Sequence, residues 1–548
     1  MKYLYVLLIM NSFLYSQINR EWVKQYNGTA NMYDSPARIL IDNSSNIYVA
    51  GYSGVIQTTS GDYLLLKYSP SGNILWERTY DAANAFDGIE DALVDNNNNI
   101  YVTGESRLVS TNSDIYTMKF DSSGNVIWGR RYDGRPHAGD IPRKICVDNL
   151  GNIYVIALSS QYFNPVQTTG DILIIKYNSN GDSLWTAIYN NNGAYTEEDP
   201  ASICISENGS VYITGQANSN SGYYDVITLK YDNNGEFQWS RRFNGTVNRD
   251  DFGSKVVCDL SGNIYVLGST TSVLSENFDI VLIKYSENGD SLWTKKYNGI
   301  GNARDFGRDI YMDNHAVYIT GESGYASSQN TDIVLLKYDL NGNLLKSSYF
   351  DGVAHMSDTP SKLVKDPYGY FFIVGSSARG VLNWDYVVIR YDSDCNQIWF
   401  DTFNSQGNSD DNGIDLIFGA NNDLYLTGAC QISDPLDIVT IKYNSVIGLN
   451  NMNQNVPVKT ELSQNYPNPF NPTTNFGFRI ADFGLVRLTV FDAIGREIKV
   501  LVNQQLQPGT YEVSWDASAY SSGVYFYKLT VTAGREVFTD TKKMLMIK

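Results

Sequence analysis

The sequence predicts an all-β chain, and three observations predict it. A four-strand unit recurs eight times between residues 17 and 443. Its strands are rich in Ile, Val, Tyr and Leu and are bounded by Gly, Asn, Asp and Ser, the chemistry of short antiparallel strands and tight turns. Where the repeat stops, strands and Gly/Pro turns continue to alternate as far as residue 548. With 43% apolar and 18% charged residues, the chain has ample material for cores and lacks the low hydrophobicity of a disordered one.

In chain order, the first element is MKYLYVLLIMNSFLYSQ: one lysine, an apolar run from Leu4 to Leu14, then the small Ser16. This reads as a secretory signal peptide over residues 1–16, because the run is shorter than the roughly 20 residues that cross a bilayer. No other apolar run approaches that length. The chain is expected to leave the cytoplasm.

The repeat follows over 17–443, anchored on D-x4-K-Y segments such as DYLLLKY, DIVLIKY and DIVTIKY. The anchor bases are Lys67, Lys119, Lys176, Lys230, Lys284, Lys337, Arg390 and Lys442, at intervals of 52 to 57 residues. Around each lie a strand such as ARILID, a short turn, NIYVAG, a longer loop, the anchor strand, another short turn, and a strand such as NILWERTY. DIVLIKY is apolar at consecutive positions, so both faces of that strand must be covered. A sheet packed between two neighbouring sheets achieves this, which makes the unit the blade of a β-propeller. The segment around Trp22 matches only the fourth strand of the unit, as do Trp76, Trp128, Trp185, Trp239, Trp293 and Trp399; Leu345 stands in that place once. The last unit, LIFG, LYLTG and DIVTIKY, lacks its fourth strand. One strand plus three predicts eight blades closed by strand exchange between the chain ends.

The NIYVAG and DIVLIKY segments resemble the bacterial β-propeller (SBBP-like) repeat family. The resemblance covers residues 18–443 and implies the fold; it names no ligand. The family is counted as seven-bladed, whereas the anchors here count eight.

Two eightfold aspartate series stand out. Asp62, Asp114, Asp171, Asp225, Asp279, Asp332, Asp385 and Asp437 open the third strands. Asp34, Asp87, Asp140, Asp199, Asp251, Asp305, Asp358 and Asp411 precede the first. Carboxylates suit Ca²⁺, but an aspartate repeated in every unit is better explained as a cap on turn backbone, and no calcium loop of the D-x-[DN]-x-[DN]-G type occurs. The Trp series is read as packing between blades. The turn SPSGNILW is superficially similar to the Asp-box of sialidase propellers and to the docking motif of quinoproteins. Several copies carry Ser, Pro or Asn at the aspartate position, and no set of cofactor ligands accompanies it, so no cofactor is expected. Of the five cysteines, Cys146, Cys204 and Cys258 are expected as packed thiols; Cys395, at a turn position where sibling copies have Gly, and Cys430 are left unassigned.

The turns after the first and third strands are short and uniform, whereas the loops after the second and fourth vary, and antiparallel alternation puts both variable sets on one face. Ligand sites concentrate on loops held by a rigid scaffold. The candidate ligand residues on that face are Trp384, Tyr223, Tyr224, Tyr162, Arg135, His137 and Arg379, accompanied by Phe163, Glu197, Glu198, Arg249, Asp250, Asp410 and Asp411. An exposed Trp384 would stack on a sugar or anchor a protein contact; the adjacent Glu197 and Glu198 read equally as a solvated acidic loop. Only three histidines occur, at 137, 315 and 355, with no metal-ligand spacing, so a binding or adhesion module is expected rather than an enzyme. The rival is a carbohydrate-active or quinone-dependent enzyme on the same scaffold.

After Tyr443 come a polar linker over 444–460 and a segment, 461–548, whose strands and turns predict a small immunoglobulin-like β-sandwich. YPNPFNPTT, VFDAIGREI, PGTYEVSWD, SSGVYFYKL and KKMLMIK resemble the type A C-terminal sorting domain of type IX secretion substrates across its whole length. That resemblance implies passage of the outer membrane by the type IX machinery, after which the passenger is released or attached to the cell surface. The net charge of -18 falls on the repeat, since residues 461–548 hold nine Lys or Arg against eight Asp or Glu. It disfavours nucleic acid and anionic membranes as partners. An extracellular glycan or protein remains, bound by a monomer.

Overall fold

The computed structural model describes residue 18 and residues 20–548, apart from 29, 55–60, 83–84, 109–111, 135–137, 165–166, 191–196, 219–221, 273–276, 326–329, 381–382, 406–408, 420–421, 432–435, 444–449, 454–456, 483, 507, 519 and 535. The signal peptide and parts of the linker therefore lie outside the described residues. The chain divides into two compact units, 20–443 and the segment from 444 to the C-terminus. Each is all-β, and no helix among the described residues is long and apolar enough to cross a membrane.

Residues 20–443 form eight four-stranded antiparallel sheets. The first has strands Asp34–Ile41, Ile47–Gly54, Gly61–Tyr68 and Ile74–Tyr80 in sheet order. The first strands of the next six are Asp87–Val94, Asp140–Val147, Glu198–Ile205, Asp251–Cys258, Asp305–Met312 and Asp358–Lys365. The eighth sheet draws on both ends of the unit: Arg20–Tyr26 pairs with Asp437–Tyr443, with Val23 opposite Ile441 and Gln25 opposite Val439, and Leu424–Cys430 and Asp411–Phe418 complete it. Each first strand lies beside the first strand of the sheet before and of the sheet after, and Asp411–Phe418 lies beside Asp34–Ile41, so the sheets close on themselves.

The sequence pattern explains the packing. In Gly61–Tyr68 every residue but Asp62 is buried, because both faces meet apolar side chains of neighbouring sheets. The anchor lysine crosses to the next sheet and donates to a turn carbonyl there: Lys67 to Ser122 (2.8 Å), Lys119 to Ser179 (3.0 Å), Lys337 to Ser393 (2.9 Å). The fourth-strand indole donates to that same turn, as Trp128 does to Ser179 (3.2 Å) and Trp22 to Pro70 (3.1 Å). Six of the seven indoles rest on a turn glycine with positive φ, and a Cβ on Gly181 would come within 2.7 Å of Trp128; Trp399, facing the sheet closed by the two chain ends, meets Tyr443 instead (5.7 Å between centroids). Where Leu345 replaces Trp, the facing turn glycine is also replaced, by Cys395 at φ 60°, whose buried side chain fills the space.

One cysteine expectation is corrected. Cys204 and Cys258 form a disulfide that joins the first strands of the fourth and fifth sheets. The packing of neighbouring first strands brings the two residues together, 54 apart in sequence, a proximity that strand periodicity alone does not show. Cys146, Cys395 and Cys430 are free.

The C-terminal unit has two four-stranded sheets: Asn450–Asn453, Gly509–Asp516, Thr473–Ile480 and Glu461–Leu462 in one, and Glu497–Leu506, Gly484–Phe491, Gly523–Ala533 and Glu536–Met546 in the other. Alternate residues of both, including Phe476, Phe478, Val486, Leu488, Trp515 and Tyr527, share a single core.

Candidate functional site

The variable loops lie where second strands end and first and third strands begin, and the opening aspartates stand at that end of the ring. The first-strand series caps the loop before it. Asp34 Oδ2 accepts from Gly28 N (2.6 Å), Asp140 from Gly134 N (2.8 Å), Asp305 from Gly299 N (2.7 Å) and Asp358 from Gly352 N (2.7 Å). In the fourth sheet the expected member was Asp199, and the structure corrects this: pairing of Pro200 with Gly215 puts Glu198, fully buried, in the capping place. A solvated acidic loop is excluded for Glu198. Asp199 instead takes both Nε and Nη2 of Arg143, each at 2.9 Å.

The third-strand aspartates face the first-strand aspartates of the next sheet across the seam, and what neutralises them varies. Asp114 meets Arg131 (2.8 Å), Asp225 meets Arg242 (2.9 Å), Asp385 meets Arg379, and Asp171 accepts from Asn190 (2.9 Å). Among the described residues two seams instead gather three carboxylates, Asp62 with Asp81 and Asp87, and Asp332 with Asp351 and Asp358, with one oxygen of each within 4.8 Å of the others. These are the residues that could hold a hard divalent cation. Burial first, then the neighbouring carboxylates, pushes Asp62 and Asp332 up to about 6. Burial raises Asp358 to about 7 despite its hydrogen bonds to Ser377 and Gly352.

A row of aromatic rings runs along the same end of the ring, over three consecutive sheets and across the two seams between them. Tyr224 lies 6.2 Å from Phe252, Phe252 5.6 Å from Phe278, and Phe278 4.8 Å from Phe306, between centroids. All four side chains are half-buried, each leaving part of its surface to solvent. Guanidinium groups flank the row: Arg304 sits 4.5 Å and Arg308 5.5 Å from the Phe306 centroid, and Arg249 sits 4.9 Å from that of Tyr223 while donating to its hydroxyl (2.6 Å). The Tyr224 hydroxyl donates to Glu197 (2.9 Å), and burial with that contact raises it to about 12.

The predicted site residues fall into two groups on different sheets. Tyr224 belongs to the aromatic row and is bonded to Glu197 and Asp250, whereas the adjacent Tyr223 is held by Arg249. Trp384 and Arg379 belong to the seventh sheet: Trp384 is half-buried and its backbone N donates to Asp410 (3.2 Å), as Tyr224 N does to Asp250 (2.9 Å). Arg379 pairs with Asp385 and donates to Thr402 (3.0 Å). Tyr162 lies in Ile153–Asn164, its backbone paired with Thr168; its side chain and that of Phe163, and all of Arg135 and His137, lie outside the described residues. Sequence reasoning missed Phe252, Phe278 and Phe306. They occupy regular strand positions beside a repeated aspartate, and the available signal was Phe after that aspartate in two consecutive units.

The comparisons with known proteins bear on both units. Residues 464–546 match the secretion system C-terminal sorting domain. The tail is an export signal. The sorting domain indicates export of the chain, with attachment to the outer cell surface or secretion, and implies interaction with the secretion machinery. Residues 21–56 and 238–275 match the β-propeller repeat. Similar solved structures include Sqt1 from Chaetomium thermophilum (10% identity, TM-score 0.49, covering 78% of this chain and 99% of that one). The WD40 domain of SCAP from fission yeast is 9% identical, with TM-score 0.42, covering 77% and 98%. PorZ of Porphyromonas gingivalis, a surface component of the type-IX secretion system, is 12% identical, with TM-score 0.36, covering 94% and 70%. No curated protein matches the chain.

Proposed function

We propose that the chain is an exported eight-bladed β-propeller, followed by an immunoglobulin-like sorting domain, and that it binds an extracellular glycan or protein rather than transforming it. The observation that carries the reading is the half-buried row Tyr224, Phe252, Phe278 and Phe306, with Arg304 and Arg308 over its last ring and Arg249 on Tyr223, next to its first. Rings held side by side on strand ends offer flat apolar faces at little entropic cost, and the arginines supply hydrogen-bond donors around them. Such a row suits an extended chain, a polysaccharide or a peptide strand, better than a compact substrate. The protein acts as a monomer, and its acidic surface favours solubility.

The test is a binding screen of the full secreted protein against soluble polysaccharides and cell-surface proteins, with product analysis in parallel. Phe278→Ala and Phe306→Ala should each weaken the strongest interaction about tenfold, the scale of one buried aromatic anchor, with no turnover. Hydrolysis or elimination products would replace this reading with the enzyme one. Unchanged binding in both variants would remove the row from the site.

A further inference from the structure

The first strands line the inside of the ring, and each carries a β-bulge shortly after its opening acid. The residue that resumes pairing after the bulge alternates in chemistry around the ring. In the odd-numbered sheets it is Arg38, Lys144, Lys255 or Lys362, opposite the apolar Ala50, Ile156, Leu267 or Val374. In the even-numbered sheets it is Asp91, Ser202, Asp309 or Asp415, and its second-strand partner is always a threonine: Thr103, Thr214, Thr320 or Thr427. The pattern therefore repeats every two sheets, and Ser202 stands in the acid series where a carboxylate stands three times out of four.

Each acid in the series does two things. One carboxylate oxygen accepts the backbone N–H that follows the base of the next sheet: Asp91 from Ile145 (3.0 Å), Asp309 from Leu363 (2.9 Å), Asp415 from Ile39 (3.2 Å). The carboxylate also neutralises the bases beside it. Asp91 pairs with Arg38, Asp415 with Arg38 (3.6 Å), and Asp309 with Lys255 (3.6 Å) and Lys362 (3.5 Å). Ser202 Oγ performs only the first task, accepting from Val256 N (3.3 Å).

Four cations therefore share three carboxylates, and the deficit falls between Lys144 and Lys255. Lys144 makes no ion pair or hydrogen bond among the described residues. Burial lowers it to about 8; Asp91 opposes that, whereas Arg38, Lys255 and Lys362 reinforce it. The other charged groups facing this place do not fill the gap. Arg143 is held by Asp199 through two 2.9 Å bonds, and Glu90, which feels both Arg143 and Lys144, forms no ion pair with either among the described residues. Lys255 keeps 24% of its side chain exposed, so the place is reachable by a small solute.

We propose that a small carboxylate anion binds inside the ring at Ser202, between Lys144 and Lys255, supplying the carboxylate this sheet lacks. The ammonium groups of Lys144 and Lys255 donate to its oxygens, and the Ser202 hydroxyl is free to donate as well, since its oxygen only accepts from Val256. Either a free carboxylate from the medium or one carried on a larger ligand meets this chemistry.

The experiment is calorimetric unfolding and titration of the full chain with sodium acetate at constant ionic strength, with sodium glucuronate as the larger probe and chloride as the control. The wild type should gain Tm saturably with acetate and not with chloride, as binding to the folded state alone requires. A response to acetate but not to glucuronate assigns the site to free carboxylates; a response to both admits the carried kind. Ser202→Asp should raise Tm in the absence of acetate by about 1–3 °C, abolish the acetate response, and raise the pKa of Lys144 as followed by NMR. Lys144→Met should also lose the response, and it carries the test alone should Ser202→Asp fail to fold. An equal response to chloride, no saturable response in the wild type, or an acetate response retained in either variant overturns the proposal.

Discussion

Asp121 in the ring and Asp492 in the C-terminal unit hold the same turn within different kinds of core. Asp121 Oδ1 accepts from Ser123 N and Asn125 N at 2.8 and 2.9 Å, and Asp492 Oδ1 from Ile494 N and Arg496 N at 3.0 and 2.9 Å. In both, a glycine at φ near 80° closes the turn, Gly124 and Gly495. Beyond that turn the units part. The C-terminal unit rests on one core shared by two sheets. The ring is a series of small cores, each shared by neighbours, such as Tyr101, Trp128, Val155 and Leu173 across the second and third sheets. The turn is thus interchangeable, whereas cohesion is not: the ring's strength lies in contacts that repeat from sheet to sheet, as nearest-neighbour models of repeat proteins require.

The largest test of this contrast separates the units. A chain lacking residues 461–548 should fail to appear outside the cell and accumulate in the periplasm, while the ring unfolds at its usual temperature. Cell fractionation and calorimetry check the two halves of that statement; normal export of the shortened chain would contradict the role of the tail.

A second test addresses the repeated contact itself. Leu345→Trp sets an indole against Cys395, and Cys395→Gly empties a buried site while relaxing the backbone at φ 60°. Each change alone should destabilise the ring by about 1 kcal/mol, and the double variant should recover most of the loss, a coupling of about 1–2 kcal/mol in a denaturation cycle. Additive losses would mean that the two departures from the repeat are unrelated.

The smallest effect is the pH response. Asp62, Asp305 and Asp332, at about 6, and Asp358, at about 7, lie above the ordinary carboxylate value chiefly because they are buried. The folded ring then holds more protons than the unfolded chain between about pH 4 and 7, so its stability falls as pH rises through that window. Asp492 is shifted the other way: burial would raise it, but Arg496 and the turn N–H groups outweigh this and hold it below its ordinary value. The stability it contributes is lost only as pH falls through that lower range. Calorimetry should show the ring transition moving down by a few degrees from pH 5 to pH 8 while that of the C-terminal unit holds still.

Most of the fold was legible because its anchors recur in kind as well as in place: a D-x4-[KR]-[YF] segment marks every unit, a fourth-strand Trp marks all but the one with Leu345, and Trp22 marks the strand that returns. The misassigned aspartate comes from aligning units by residue type rather than by pairing, whereas the Cys204–Cys258 disulfide arises from packing between sheets, which strand periodicity does not show. Asp199 looked like the member of its series because an acid stands there, yet the pairing of Pro200 with Gly215 shifts the role to Glu198. The aromatic row escaped notice because Phe252 and Phe306 look like ordinary strand residues until pairing within the fifth sheet brings Phe252, and packing of the sixth sheet brings Phe306, beside Phe278. Tyr223, Tyr224, Trp384 and Arg379 were picked for departing from the repeat, and departure marks the loop face without telling a ligand contact from a bond across a seam.

The alternation of base and acid after the bulges has a consequence for how such a ring can change size. Losing or duplicating a single unit would set two bases or two acids side by side at the join, and no rearrangement of the remaining units would cure it. Growth or loss by pairs of units keeps the alternation intact, whereas an odd-numbered ring would need a neutral residue at its join, as Ser202 is in the fourth sheet here.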